Sequence, residues 1–433
     1  MIKLPKEISH IIKSMAQDGH KCYMVGGCVR DSLLGMKPLD WDIATSASWE
    51  DIIKVFPDGE VVSEKYSVVR LEFENETNPE ESISVDLASL RQEGEYSDFR
   101  RPDEISFTDS IEKDLERRDF TINAMADHPS EGFFDPYNGR EDLKNKKIRT
   151  VGDAKERLNQ DPSRILRAIR LVSELGFELD KDLRAAILAQ SSLVQHVSKE
   201  KILEEFLRIL GGENAGKGLR LLAGLDLMPF IIGEDIAFHM TRNEMDSFST
   251  YCDNINRTKR NPVRRLGLFY LIFWGKRGYK AVEVLPHSAK NLQHFHDQTE
   301  FMHKIYFIRT TLEFKRFVVK IGLERYQYLH NLAKAQRLVY DLPEEKIFSR
   351  DYLLTVIRND KEPLFVEDLA INGDDLIAAG FKEGEAIGEM LCMLLDAVHL
   401  NPRLNEKKEL LKLAKVYKKS WLKRTTRNVK WLK

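Results

Sequence analysis

Residues 22–45 read CYMVGGCVRDSLLGMKPLDWDIAT, and the class of the first 140 residues follows from how this stretch folds. CYMV (22–25) is a short apolar strand stopped by Gly26 and Gly27, and VRDSLLG (29–35) that follows is helical. DWDIAT (40–45) reads as a second strand, and SVVRLEF (67–73) and SISVDLASL (82–90) as further ones, with a polar hairpin turn in NETNPEES (75–82). Upstream, Ile8, Ile11, Ile12 and Met15 recur at helical spacing. Strand and helix signals so mixed describe an α/β or α+β unit.

After Tyr137 the pattern changes. From Glu141 onward the segments are helical, among them PSRILRAIRLVSELG (162–176), DLRAAILAQ (182–190), KEKILEEFLRIL (199–210) and KGLRLLAGLDLM (217–228). A chain of 433 residues is too long for one ordinary core, and about three or four units are expected at roughly 150 residues each. The expectation is an α+β chain: a mixed-sheet head at 1–140, then an all-helical neck (141–210), body (211–330) and tail (331–433).

Apolar residues make up 42% and charged residues 31% of the chain, a globular composition. The formal net charge of −2 gives no global nucleic-acid signature, so any polyanion must be met by local patches. One such patch is 407–433, with eleven Lys/Arg against the single acid Glu409, and with Tyr417, Trp421 and Trp431 interleaved. Cys22, Cys28, Cys252 and Cys392 show no metal-type pairing, and a core of this size needs no disulfide framework. No signal-peptide run opens the chain and no window approaches the ~18 apolar residues of a membrane span, so a cytoplasmic protein without membrane contact is expected. His294 and His296 fit a helix surface better than a metal site, and nothing in the sequence sets an oligomeric state.

In an extended strand, residues i and i+2 share a face, roughly 6–7 Å apart at Cα. Asp40 and Asp42 therefore present two carboxylates side by side, with Trp41 on the opposite face. Such like charges are costly unless a cation lies between them, and hard oxygen ligands suit Mg²⁺ shared with substrate phosphates. An isolated D-x-D is a common surface feature; its context is GGCVRD (26–31), where backbone N–H groups of Gly26 and Gly27 can approach phosphate and Arg30 can reach it. Asp86 lies on a strand that can neighbour that of Asp42. It is a candidate third catalytic acid, with a capping or surface role as the alternative.

GGCVRD, LDWDIAT, RRDFTINA (117–124), FFDPYNGREDL (133–143) and DPSRILRAIR (161–170), in that order, resemble the class II tRNA nucleotidyltransferase and bacterial poly(A) polymerase family. SKEKILEE (198–205) resembles its fifth motif, and DLAINGDDLIAAGFKEGEAIGEML (368–391) the tail of bacterial CCA-adding enzymes. The resemblance implies a polymerase beta-like nucleotidyltransferase head and helical neck, body and tail. It implies Mg²⁺ on Asp40 and Asp42. It also implies triphosphate contacts from Gly26, Gly27 and Arg30, triphosphate and ribose contacts from Arg118, Asp119 and Asn123, and a head–neck joint at Asp135 and Gly139. Asp161, Arg164, Arg167 and Arg170 would form the nucleotide-facing side of the neck. The implied reaction is template-independent addition of C, C and A from CTP and ATP to the 3′ end of tRNA, releasing pyrophosphate.

Asp161–Pro162 also reads as an ordinary helix start, with the acid as N-cap and proline at the first position. Yet Asp161 and Arg164, three apart, share a face. A carboxylate only accepts and a guanidinium only donates, which matches the amino donor and ring-nitrogen acceptor that cytosine and adenine present together. Guanine and uracil present the reverse sense. Arg167 and Arg170 drift by about 60° per step of three and fit phosphate better than base. In the family pattern a Glu precedes this Asp; here it is Gln160, whose neutral amide orients Arg164 less strongly.

Poly(A), CC-only and A-only addition share these motifs. The connection LASLRQEGEYSDFRRPDEISFTDSIEKDLE (87–116) resembles the full flexible loop of CCA-adding enzymes, which disfavours CC-only addition. A non-catalytic RNA-binding protein is the alternative from another class, and the intact Asp40, Asp42, Arg118, Asp161 and Arg164 argue against it.

Overall fold

The computed structural model describes residues 4–38, 40–73, 82–94, 104–273, 275–306, 308, 310–342, 355, 362–382 and 384–428, with side chains as far as Lys418 in the last helix. The turn expected in 75–82 lies, except for Ser82, outside them, as do residues 95–103 of the expected loop and both Trp421 and Trp431 as side chains. The chain divides into two compact units, Met1–His287 and Ser288–Lys433.

The first unit opens on a sheet. Helix α1 (Lys6–Gln17) buries the expected Ile8, Ile11, Ile12 and Met15. β1 (Cys22–Val25) leads through α2 (Gly27–Leu33) to β2 (Asp40–Thr45), then α3 (Trp49–Val55), β3 (Glu60–Ser63), β4 (Val68–Phe73) and β5 (Ile83–Ser89). β6 (Arg91–Glu93) and β7 (Ile105–Phe107) form a separate two-stranded ribbon, followed by α4 (Ile111–Glu116), β8 (Ala126–His128) and β9 (Gly132–Phe134). Seven strands pair in the order β3-β4-β5-β2-β1-β8-β9. The β2–β5 pair is parallel and the others antiparallel, so the sheet is mixed as expected. Part of what reads in sequence as one long charged loop (87–116) is therefore ordered as the ribbon and α4. Its Arg91–Glu93 and Ile105–Phe107 pairing is too short to show in a period-two pattern.

The register places the site. Asp42 pairs with Asp86, and Asp86 on its other side pairs with Arg70. Trp41, on the opposite face, is 4% exposed and anchors β2 in the core. Tyr23, Val25, Ala44, Leu90, Ile111, Leu115 and Ala126 form one buried cluster that ties α4 to the sheet.

Beyond the sheet the unit is helical: α5 (Gly139–Lys144), α6 (Ala154–Gln160), α7 (Ser163–Leu175), α8 (Lys181–Ala189), α9 (Lys199–Gly211), α10 (Ala215–Gly224) and onward. The exception to all-helical is a parallel bridge of two-residue strands, β10 (Lys147–Ile148) and β11 (Glu178–Leu179). α7 is the central helix, with Ile165, Leu166, Ile169 and Val172 all buried, and it packs on α9 and α10. Its close neighbours need glycine: a Cβ on Gly212 would meet Ser173 Oγ at 2.2 Å.

The second unit is built from helices Ala289–Ile305, Thr311–Ile321, Leu323–Tyr340, Gly373–Ala378, Glu385–Leu400 and Lys407–Asn428. Leu376, Leu394, Val398, Leu410 and Ala414 form its buried cluster, with Asn372 and Asp375 closing a capping box before Leu376. His296 is exposed beside Glu300, and the ring of His294 stacks on Tyr328 at 3.8 Å, so the HFH run is a helix surface and a packing contact.

Candidate active site

Gly26 ends β1 with φ +74°, a conformation that favours glycine. A Cβ here would also lie 3.1 Å from Asp42 Oδ2 and 3.2 Å from an Arg118 guanidinium nitrogen. The turn thus lets the backbone approach the carboxylate and the arginine together. Gly27 opens α2, and Arg30 on its first turn donates to Asn123 Oδ1 at 2.7 Å and to Asp31 Oδ1 at 2.8 Å.

Asp40 and Asp42 stand on one face of β2, Asp40 exposed and Asp42 half-buried. Burial pushes the Asp42 carboxyl above the ordinary aspartate value; Arg118 pulls it down, and Asp86 and Asp40 push it further up. A cation against these oxygens would relieve that cost. Among the described residues no group of three or more His, Cys, Asp and Glu is arranged to hold a metal ion. Two carboxylates are what a small hard cation takes when substrate phosphates and water complete its shell. The residues present therefore fit Mg²⁺ of that kind. Asp86 adjoins Asp42 in register, but both its oxygens are engaged by Arg70, at 2.7 and 2.9 Å.

The RRD segment is anchored from beneath. Asp114, fully buried, receives Arg117 at 2.7 Å and Arg118 at 2.9 Å. Burial raises its carboxyl, but the two arginines hold it below the usual value. Arg118 is correspondingly held charged by Asp114 against its own burial. Asp119 Oδ1 accepts from the Phe120 N–H at 2.8 Å and Asn123 Nδ2 at 3.1 Å, while Oδ2 lies 2.5 Å from Arg167. Asn123 therefore links Asp119 to Arg30. At the expected head–neck joint, Asp135 accepts the N–H groups of Gly139 (2.6 Å) and Arg140 (3.0 Å), and a Cβ on Gly139 would meet the Thr121 carbonyl at 2.3 Å.

Asp161 follows α6 as its C-cap and its Oδ1 accepts the Ser163 N–H at 2.9 Å, but α7 starts one residue later than the sequence reading, with Pro162 rather than Asp161 at its N-cap. The second oxygen retains acceptor capacity. Arg164, 4% exposed, donates Nη1 to the Arg157 carbonyl (2.8 Å) and to Gln160 Oε1 (3.3 Å), while its buried Nε has no acceptor among the described residues. Gln160 Oε1 also accepts from Arg157 at 2.7 Å. Arg157 reaches on to the carbonyls of Glu116 (3.0 Å) and Arg118 (2.6 Å), docking α6 against the RRD segment.

Two cavities meet at Asp42. A cavity of about 360 Å³ is lined by Gly26, Gly27, Asp42, Arg118, Asp119, Asn123, Asp161, Arg164 and Arg167, so it gathers most of the residues singled out in the sequence. A wider cleft of about 960 Å³ holds Asp40, Asp86 and Arg30 on one side and Arg167, Arg170, Arg208 and Arg260 on the other. Arg170 reaches only the wider cleft and is tied to buried Glu205 at 3.1 Å. Sequence reading missed Arg157, Arg70, Asp114 and Glu205. The signal for Arg157 was its position three before Gln160, on the same helix face.

A model of the poly(A) polymerase head domain matches residues 22–149, and one described as a probable RNA- and SrmB-binding site of polymerase A matches 176–237. The CCA-adding enzyme of Anoxybacillus flavithermus is 32% identical over 408 residues, 93% of this chain and 94% of that protein. The chain belongs to the family of CCA-adding enzymes and poly(A) polymerases. The CCA-adding enzyme of Geobacillus stearothermophilus is 40% identical over 228 residues, 53% of this chain and 55% of its own. The crystal structure of the Bacillus stearothermophilus CCA-adding enzyme in complex with CTP superposes with a TM-score of 0.75 at 26% identity, covering 97% and 98% of the two chains. Members of this family are nucleotidyltransferases, which generally depend on metal ions. Among the described residues no helix is long and apolar enough to cross a membrane.

Proposed function

We propose that this chain adds C, C and A, from CTP and ATP, to the 3′ end of tRNA in the cytoplasm, without a nucleic-acid template and with Mg²⁺. The observation that carries this reading is the shared cavity: Asp42 and Arg118 line it together with the acceptor–donor pair Asp161 and Arg164. The names of the relatives that match over nearly the whole chain, and CTP in the superposed structure, support it.

In this reading the nucleotide lies in the smaller cavity. The Gly26–Gly27 turn, Arg30 and Arg118 hold the triphosphate, and Asp119 and Asn123 hold the ribose. The Nε donor of Arg164 and the free oxygen of Asp161 meet the acceptor and donor of cytosine or adenine. Guanine or uracil would leave these buried groups unpaired, and sites of this kind discriminate by about 10⁴–10⁵. The RNA 3′ end enters by the wider cleft, where Arg167, Arg170, Arg208 and Arg260 meet phosphate. Asp40 and Asp42 would hold Mg²⁺, which supplies charge stabilisation for the attacking hydroxyl and the leaving pyrophosphate.

Three tRNA substrates, ending before CCA, after C and after CC, offered with CTP and ATP, test the reading. All three should end as CCA on a sequencing gel, and Asp42→Ala should abolish every addition. Long A tails on all three, or full activity in Asp42→Ala, would overturn it.

A further inference from the structure

The sheet sets three charged side chains in one row on the site face. Arg70 on β4 stands opposite Asp86 on β5, and Asp86 stands beside Asp42 on β2. Directly opposed residues in a sheet face the same side with Cβ atoms ~5 Å apart, so each acts strongly on the next. By position Asp86 could complete a three-carboxylate centre with Asp40 and Asp42. Its side chain is otherwise committed: Arg70 Nε takes Oδ1 at 2.7 Å and Nη2 takes Oδ2 at 2.9 Å. A guanidinium fork on both oxygens fixes the orientation of the carboxylate as well as neutralising it.

The pair is not a buried structural bridge. Arg70 and Asp86 are 38% and 33% exposed, and both line the wider cleft along with Asp40 and Asp42. Exposed pairs are weak, so a modest change at residue 70 suffices to free the carboxylate beside Asp42.

We propose that Arg70 is a positioning residue that withholds Asp86 from the cation, so that the metal centre of this chain rests on two carboxylates, Asp40 and Asp42. The inference rests on the metal-centre reading above. With Arg70 in place, the row carries three negative charges and one positive. The remaining charge of minus two balances one divalent ion and leaves its other positions to phosphate oxygens and water, the shell that Mg²⁺ prefers.

Titration of the full-length chain with Mn²⁺, followed through the electron paramagnetic resonance of the free ion, tests this without nucleotide transfer. Circular dichroism checks that each variant is folded. Arg70→Gln frees a third ligand and should bind Mn²⁺ about tenfold tighter than the unaltered protein, the scale on which groups beyond the ligands tune affinity. Arg70→Lys keeps the charge but cannot fork, and should also bind more tightly. Asp86→Asn alone leaves the Arg70 cation unpaired beside Asp42 and should weaken binding, whereas Arg70→Gln/Asp86→Asn restores the net charge of minus two and should return affinity to the starting value. Unchanged or weaker binding in Arg70→Gln or Arg70→Lys, or about tenfold weaker binding in Arg70→Gln/Asp86→Asn than in the unaltered protein, would overturn the proposal. Asp42→Ala separates the two readings: if it still binds Mn²⁺ normally, the metal centre itself is wrong, whereas its loss alongside an unchanged Arg70→Gln rejects only the role of Arg70.

Discussion

In the proposed reading, Gln160 is where a single atom type bears on selectivity. Its Oε1 accepts from Arg157 at 2.7 Å and Arg164 at 3.3 Å, so one neutral oxygen serves two cations. A carboxylate there would turn both bonds, now from a guanidinium to a neutral oxygen, into hydrogen-bonded ion pairs that hold the arginines more strongly. Arg164 is not left loose, however, because the Arg157 carbonyl also holds it at 2.8 Å. The expected outcome is that Gln160→Glu incorporates UTP and GTP less often, relative to CTP and ATP, with little change in the rate of correct addition. Single-nucleotide incorporation assays with each triphosphate measure this; equal misincorporation by both proteins would sink the idea. At this scale the residues that line the smaller cavity were legible from motif and face, as with Asp42, Asp161 and Arg164. Those that hold them were not. Arg157, Asp114 and Glu205 act through backbone carbonyls or buried pairs that are made by tertiary packing, and a lone charged residue in a helix reads as solvated surface.

Among the elements, the β1–turn–α2–β2 segment was readable because alternation and two glycines coincide within a few residues, whereas the ribbon of β6 and β7 was not. Three-residue strands separated by a charged stretch leave no periodicity to detect. A second kind of unread feature is a buried titratable group on an otherwise helical surface. His287 packs edge-on against Tyr270, with Nε2 3.1 Å from the phenol oxygen. Burial brings its pKa down to about 4. The depressed value means the neutral ring is favoured by folding. The stability it represents is complete above the unfolded value near 6.5 and is lost as pH falls toward 4, about 3 kcal/mol in all. Urea midpoints should therefore fall between pH 6.5 and pH 4 more steeply in the unaltered protein than in His287→Gln, which cannot take the proton. Parallel pH profiles would show that the ring is accommodated charged.

For the whole molecule, the mixed sheet followed by helices was plain from where strand patterns stop, since a sheet that is hydrophobic on one face must be covered by something. The division at His287 was not, because helix periodicity is the same on both sides of it. Charge was legible only in part. A net charge of −2 conceals arginines gathered at 167, 170, 208 and 260 along one cleft, which are far apart in sequence. It conceals also the basic terminal helix Lys407–Asn428. Lys418 of that helix is already occupied, over the Phe381 ring and on the Gly380 carbonyl, which seats the helix on its own unit. Residues 419–433 carry six Lys/Arg and no acid, and the described contacts that seat the helix, those of Leu410, Ala414, Tyr417 and Lys418, lie before them. A chain ending at Lys418 should therefore stay folded and lose RNA affinity through electrostatics alone. Each phosphate contact removed lowers the slope of log affinity against log salt by roughly 0.7–0.9. Filter binding of tRNA across a salt series should show the truncated chain weaker at low salt, with a shallower slope, and converging on the full chain as salt rises. Equal slopes would mean that the terminal helix does not track phosphate and that the arginine cleft carries the RNA by itself.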